Sequence, residues 1–258
     1  MSGVKISVIT AVFNNRETVG SALDSVLSQS HPQVEVIVID GMSTDGTRDV
    51  LAGYAKRLDV YVSEPDHGIY DALNKGIELA TGDVVGFLHS DDVLADLQVL
   101  ERVADAFKDA SVDAVYGDLV YVSKDDITRV VRRWIAGTYS KRLLRRGWMP
   151  PHPTFYARRA VYRRLGGFDP GLRIAADYDC MLRFLCADVK LAYIPQVQVR
   201  MRMGGASNRS LGNIVRKSVE DYTALRRNRV GGAAALLLKN VGKLPQFFRR
   251  NGPEGQGK

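Results

Sequence analysis

Apolar and polar positions change period repeatedly along the first half of the chain. Lys5 to Phe13 is a near-continuous apolar run, as in a strand buried on both faces. Val19, Ala22, Leu23, Val26 and Leu27 follow at helical spacing, and His31-Pro32 stops that helix. Val34 to Ile39 predicts a second buried strand ending at Asp40. Thr44-Asp45-Gly46-Thr47 then marks a turn and a helix start. Asp59 to Ser63, Val84 to Leu88 and Asp113 to Gly117 read as further strands. Between them lie a helix from about Ile69 to Ala80, stopped at Gly82, and one carrying Leu97, Leu100, Val103, Ala104 and Phe107. Strand and helix in this order predict an α/β fold: a mostly parallel, Rossmann-like sheet sandwiched by helices.

Such sheets bind ligands beyond the carboxyl ends of their strands. The polar residues fall there: Asn14-Asn15 after the first strand, Asp40 after the second, Glu64 and Asp66 after the third, Ser90-Asp91-Asp92 after the fourth. Beyond residue 118 the alternation weakens. Tyr116 to Val122 and Ile127 to Trp134 suggest a hairpin around Lys124-Asp125-Asp126. Helices are expected near Arg158 to Leu165 and Tyr178 to Cys186, with a late strand from Leu191 to Met203. The expected organisation is one folded domain over 1–208, in two halves (1–118 and 119–208). A basic helical extension (209–250) and a disordered Gly-rich tail (251–258) follow.

Composition adds location to this picture. Hydrophobic content of 45% and charged content of 25% suit a folded domain. The net charge of +7 resides in the C-terminal segment, where eleven Lys/Arg from Arg209 onward face three Asp/Glu, leaving residues 1–208 near neutral. Ile214, Val215, Val219, Tyr222 and Leu225 form an apolar stripe there, and Ala233 to Leu238 is flanked by Arg226, Arg227, Arg229, Lys239 and Lys243, before Phe247-Phe248-Arg249-Arg250. Two readings stay open: a helix lying on an anionic membrane, and a basic helix packed on the domain. The apolar runs are too short for a spanning helix, and no secretory signal is read, so the expected location is cytoplasmic or peripheral on the inner face of the membrane. Cys180 and Cys186 fit no metal pattern and are expected to be reduced, buried thiols.

Two adjacent carboxylates at a strand end, Asp91 and Asp92, are costly without a cation, and a hard divalent ion such as Mg²⁺ or Mn²⁺ is the natural partner. A helix cap is the alternative use of Ser90-Asp91-Asp92. The surrounding segments carry a resemblance. Ile6 to Asn14 resembles the opening strand and nucleotide-contacting turn of family 2, GT-A fold glycosyltransferases of the bacterial surface polysaccharide or glycolipid type. Val38-Ile39-Asp40-Gly41-Met42-Ser43-Thr44-Asp45-Gly46-Thr47 resembles that family's V-D-D-G-S-T-D-G-T, and Gly68 to Gly76 its G-x-x-x-A-R-N-x-G. Gly82-Asp83 with Ser90-Asp91-Asp92 resembles its G-D…D-S-D-D. Gly166-Gly167-Phe168-Asp169 with Asp177-Tyr178-Asp179 through Arg183 resembles its G-G-F-D…E-D-x-D-L-x-x-R.

The resemblance implies an inverting transfer from a UDP- or GDP-sugar to a hydroxyl, on a sugar or lipid-linked acceptor, in polysaccharide or glycolipid biosynthesis. It places Thr10, Phe13, Asn14, Glu17, Asp40, Asp71, Asn74, Lys75, Ser90 and Asp91 on the nucleotide-sugar, Asp92 on the metal, and Asp177 as the general base. Trp148 and His152, in a Pro-rich loop, are expected to border the acceptor; Arg200, Arg202 and Ser207 are candidates for holding phosphate. The chain departs from the family pattern at Gly41, Leu73, His89 and Ala176, where Asp, Arg, Asp and Glu are usual. Asp179 and Arg183, four residues apart on a helix, read as a structural ion pair. A nucleotidyltransferase is the first rival, but Asn14-Asn15-Arg16 offers no phosphate-cradling Gly-rich loop. A nucleic-acid-binding protein is the second, but the fold half lacks the basic face it needs, so no nucleic-acid partner is expected.

Overall fold

The computed structural model describes residues 3–204 and 211–241. Ser207, Lys243, Phe247 to Arg250 and the tail 251–258 lie outside them, as does the side chain of Ile214. Strands β1 (Ile6–Val12), β2 (Val34–Asp40), β3 (Val60–Ser63) and β4 (Val84–Phe87) alternate with helices α1 (Val19–Leu27), α2 (Thr47–Tyr54) and α3 (Ile69–Leu79). A short strand β5 (Val93–Leu94) leads to α4 (Val99–Ala106), β6 (Ala114–Val122) and β7 (Val130–Trp134). Then come α5 (Lys141–Leu144), a 3-10 turn (His152–Thr154), β8 (Tyr156–Arg158), α6 (Arg159–Leu165), α7 (Ala176–Cys186), β9 (Leu191–Arg202), α8 (Leu211–Arg227) and α9 (Ala233–Val241).

One sheet carries all these strands in the order β3-β2-β1-β4-β8-β6-β9-β5, with β7 paired to β6. The first four are parallel to one another. Beyond β4 the sheet is mixed: β8 runs antiparallel to both β4 and β6, while β6 and β9 are parallel. The expected fifth strand and the first arm of the expected hairpin are one strand, β6, which continues through Gly117 and Asp118 and is buried along nearly its whole length. β5, α5 and β8 have no signal in the period, being too short to display one.

The strands of the parallel half are buried on both faces, which is why they read as apolar runs rather than alternations. In β1, Ile6, Val8 and Val12 pack with α1, α2 and α4 residues such as Leu23, Leu51 and Leu100. Ile9 and Ala11 pack the other way, with α3, α6 and α7 residues such as Leu73, Val161 and Met181. Close contact of α3 with β1 requires Gly76: a Cβ there would lie 2.4 Å from Ile9 Cγ2. A third cluster joins α7 to α8 and α9 through Tyr178, Leu182, Leu185, Ala224, Leu225 and Ala235. The basic extension is therefore packed on the catalytic domain along one face. Of the two cysteines, Cys180 is buried but Cys186, at the end of α7, is exposed, contrary to expectation.

Candidate functional site

Register decides which residues meet. Val12 of β1 lies beside Asp40 of β2, and Asp40 beside Ser63 of β3, so the turns after these strands leave from one edge. β4 ends level with Ile9, and its following segment reaches the same edge. Side chains then tie the turns together. Asn14 N–H donates to Ser43 Oγ and Thr44 N–H to Asn14 Oδ1, both at 2.8 Å. Asn15 Nδ2 donates to Ser90 Oγ at 2.9 Å, and Thr18 Oγ1 to the Ser90 carbonyl at 2.9 Å. Asn14 and Met42 both hold left-handed backbone, φ 49° and 61°. Asn tolerates that conformation and Met does so at a cost, a kind of strain that collects at functional sites.

Asp40 is fully buried and accepts from the Ser43 N–H and, at 2.6 Å, from Ser63 Oγ. Thr10 is buried in β1, whereas Phe13 is 64% exposed at the rim. Glu17 is exposed on the turn before α1. Gly41, where the family pattern has Asp, is explained by a neighbour: a Cβ there would lie 2.4 Å from Asp66 Oδ2 and 3.4 Å from the Phe13 ring. A carboxylate from after β3 thus stands beside the position the family fills from β2, a substitution that spacing alone does not reveal.

Three residues expected on the donor are engaged within the protein. Asn74 spends both ends of its amide on Phe168, donating to its carbonyl and accepting from its N–H at 2.8 Å each, which locks α3 to the Gly166-Gly167-Phe168 turn. Lys75 pairs with Glu64 at 2.8 Å and Asp71 at 3.6 Å, and donates to the Pro65 carbonyl. Asp71 also accepts from the His67 N–H, and this bond and the lysine hold its carboxyl below the usual range.

The acidic pair divides. Asp92 is 1% exposed; its Oδ1 accepts from the Arg202 N–H at 3.0 Å and its Oδ2 is buried without a partner. Burial and the charge of Asp91 raise its carboxyl well above the usual range. Arg202 also donates to the Asp91 carbonyl and to Ser21 Oγ, so its guanidinium braces the motif from β9. Asp91 itself is half-buried, and with Asp177 it exerts its field on His89. The rings of His89 and His152 lie 5.4 Å apart, and His152, 7% exposed, has an unpartnered Nδ1. Burial pushes His152 down to about 4, so it is neutral at physiological pH. Trp148 stacks on Tyr139 and meets Tyr116 edge-on, inside the core that α7 shares.

Asp177 is half-buried in the first turn of α7, its Oδ1 accepting from the Tyr178 N–H at 2.8 Å. Tyr70 Oη, from α3, is 3.3 Å from the same oxygen and donates to the Ile174 carbonyl at 2.8 Å. Burial and Asp177 raise the Tyr70 phenol well above its ordinary range, so it stays protonated. Sequence reasoning missed Tyr70, whose only signal is its place within the Gly68 to Gly76 motif. Asp179 and Arg183 do form an ion pair, at 3.6 Å, and Arg183 also donates to the carbonyls of Leu165, Gly166 and Gly167. The site thus brings Asp91 and His89 from after β4 against Asp177 and His152 from the second half. Among the described residues no three or more His, Cys, Asp or Glu side chains group as a ready-made metal cage, and no helix is long and apolar enough to cross a membrane.

Known proteins resemble this chain in sequence and fold. The family described as Glycosyl transferase family 2 matches residues 7–172. The PGL/p-HBAD biosynthesis glycosyltransferase of Mycobacterium bovis is 32% identical over 188 residues, 71% of this chain and 70% of that protein. The putative teichuronic acid biosynthesis glycosyltransferase TuaG of Bacillus subtilis is 47% identical over 90 residues, 34% of this chain and 36% of its own. Among solved structures, S. aureus TarS 1-349 in complex with UDP-GlcNAc superimposes with a TM-score of 0.68 at 18% identity, covering 88% of this chain and 66% of that one. The mannosyltransferase PcManGT of Pyrobaculum calidifontis, in complex with GDP-Man and Mn²⁺, gives 0.68 at 20% identity, covering 96% and 74%. This chain spans 64% to 66% of the TarS 1-349 structures and 39% of another TarS structure. Because the family match covers the strand-end turns that meet at one edge, the chain belongs to glycosyl transferase family 2, glycosyltransferases with the GT-A fold.

Proposed function

We propose that this protein transfers a sugar, with inversion, from a UDP- or GDP-sugar to a hydroxyl acceptor. The observation that carries the reading is Asp177, half-buried and within electrostatic reach of the His89 to Asp91 segment at the end of β4. Asp177 takes the proton of the acceptor hydroxyl, whose oxygen bonds to the anomeric carbon. The bond from that carbon to the donor's diphosphate breaks on the opposite face, and the nucleoside diphosphate leaves with the electron pair. Asp40 and Asp66 face the nucleoside side, and Phe13 flanks it from the rim.

A divalent cation, Mg²⁺ or Mn²⁺, fits the acidic pair sparingly. Asp91 is the accessible carboxylate, and the adjacent Asp92 Oδ2 is buried and without a hydrogen-bond partner. So few protein ligands suit an ion that keeps waters and shares the donor's phosphates. We assign the direct contact to Asp91 rather than Asp92, because Asp92 is committed to the Arg202 backbone. Such an ion, when bound, neutralises the leaving diphosphate.

The acceptor in this reading is lipid-linked and presented at an anionic membrane surface, as in surface polysaccharide or glycolipid assembly. Val215, Val219, Tyr222, Leu237 and Leu238 are exposed on α8 and α9 beside the exposed Arg216, Arg226 and Arg229, a mixture that suits a headgroup layer. The test is Asp177→Asn, assayed as release of UDP or GDP from a panel of sugar nucleotides. Turnover is expected to fall by about 10²- to 10⁴-fold, the usual worth of a general base, with nucleotide affinity retained. Wild-type turnover in that variant refutes the assignment.

A further inference from the structure

α7 begins without a side-chain cap of its own: Ala175 occupies the N-cap position and has no side-chain acceptor to offer. The acceptor arrives from α8, in the extension. Glu220, 9% exposed, takes three consecutive backbone donors: Arg173 N–H at 3.2 Å, Ile174 N–H at 2.8 Å and Ala175 N–H at 2.9 Å. A carboxylate at this end of a helix is also favoured by the helix dipole. The chain has Ala176 where the family pattern has Glu, so the first turn of α7 brings no glutamate from its own segment.

The contact continues to the base. Ile174 gives its N–H to Glu220 and its carbonyl to Tyr70 Oη, and Tyr70 Oη lies 3.3 Å from Asp177 Oδ1. The Tyr70 hydroxyl hydrogen goes chiefly to the nearer acceptor, the Ile174 carbonyl, with Asp177 the farther one. Asp177 Oδ1 is thus held by the Tyr178 N–H at 2.8 Å and, more loosely, by Tyr70 Oη at 3.3 Å, so the place of the Ile174 carbonyl sets where the Tyr70 hydroxyl stands against the Asp177 side chain. The extension grips the same helix a second time: Asp221 and Lys239 form a buried ion pair at 2.7 Å, and Lys239 Nζ stands 3.2 Å from the centroid of the Tyr178 ring. Glu220 is thus the polar end of a buried contact between the α8–α9 hairpin and the turn that carries Asp177.

We infer that Glu220 is a positioning residue for Asp177, acting through Ile174 and Tyr70, and that the C-terminal hairpin is thereby part of the catalytic apparatus. The inference rests on the reading of Asp177 as general base. If Glu220 is lost, residues 173–175 lose their common acceptor, the Ile174 carbonyl turns, and the Tyr70 hydroxyl and the Asp177 side chain it touches move from their places.

The test uses the full chain with Glu220→Ala, Glu220→Gln, Tyr70→Phe and the Glu220→Ala/Tyr70→Phe double variant, beside Asp177→Asn. Release of UDP or GDP is measured from UDP-GlcNAc, UDP-glucose and GDP-mannose, using whichever turns over fastest, with Mn²⁺-dependent nucleotide binding by calorimetry. Backbone exchange is followed by mass spectrometry over 170–180. Glu220→Ala is expected to lower kcat about 10- to 100-fold, the scale of a misplaced catalytic group, with KM and nucleotide affinity held within about threefold. Glu220→Gln, which keeps an acceptor, recovers part of the loss and slows the exchange again. The double variant is expected to be no worse than Glu220→Ala alone, because both changes act on one chain of contacts. The inference is overturned if Glu220→Ala turns over within twofold of wild type, if KM rises as much as kcat falls, or if the two effects multiply. Should Glu220→Ala fail to fold, equal kcat in Glu220→Gln, Tyr70→Phe and wild type overturns it. An active Asp177→Asn would instead sink the base assignment; an inactive one with unaffected Glu220 variants sinks this inference alone.

Discussion

Replacing Glu35 with Gln should weaken the fold and leave catalysis alone. Glu35 sits near the start of β2, at the end of the sheet opposite the site, and is buried. Its carboxylate accepts from Lys5 Nζ at 2.8 Å, Ser7 Oγ at 2.5 Å, the Thr81 N–H at 2.9 Å and the Thr81 hydroxyl. Burial opposes the charge, but these donors outweigh it and hold the group down at about 2 against an ordinary 4.5. A displacement of that size corresponds to roughly 3 kcal/mol of stability. The sign follows from the lowered value. The contribution is complete above pH 4.5, where the unfolded chain is also ionised, and disappears as pH falls from about 4.5 towards 2. Urea unfolding of wild type and Glu35→Gln at pH 7.5 and at steps down to pH 3 measures it. The difference should be roughly 3 kcal/mol at neutral pH, about 6–12 °C in Tm for a domain of this size, and should shrink as the pH drops. A difference below about 1 kcal/mol, or one independent of pH, would refute the accounting, since an isolated surface pair is worth about that at most.

Other outcomes follow from the site. Asp91→Asn is expected to abolish Mn²⁺-dependent binding of UDP or GDP in calorimetry, while Asp92→Asn keeps it within several-fold; the reverse order would return the ion to Asp92. Gly41→Asp, which restores the family's usual residue, should weaken nucleotide binding roughly tenfold through crowding and repulsion against Asp66. Gly41→Asp/Asp66→Gly should recover most of that affinity, and failure to recover shows that Asp66 is not the substitute. Leu237→Asp/Leu238→Asp should reduce co-sedimentation with anionic phospholipid vesicles at low salt without changing nucleotide release in solution. Equal sedimentation removes the exposed face of α9 from the membrane reading.

Some of this protein was legible in the chain itself. Strands buried on both faces must be continuously apolar, so β1, β2 and β4 stood out, and helices packed on a sheet must repeat at helical spacing, so α1, α3 and α4 did too. Because strand ends in such sheets are binding edges, the acidic residues after them point to one side of the molecule. The tertiary structure decided what depends on contacts between distant segments. That Asp92 is buried while Asp91 is half-buried goes with Arg202, 110 residues beyond Asp92 along the chain, whose N–H claims Asp92. Why Gly41 lacks a carboxylate turns on Asp66 arriving from another strand. That Asn74 and Lys75 are ties within the protein depends on Phe168, Glu64 and Asp71 meeting them. The extension read as a basic amphipathic helix with two possible uses; its inner face packs on α7 through Glu220 and Leu225 while its outer face stays exposed. Periodicity records how much of a side chain is buried, and the identity of the partner that buries it is set only when the chain has folded.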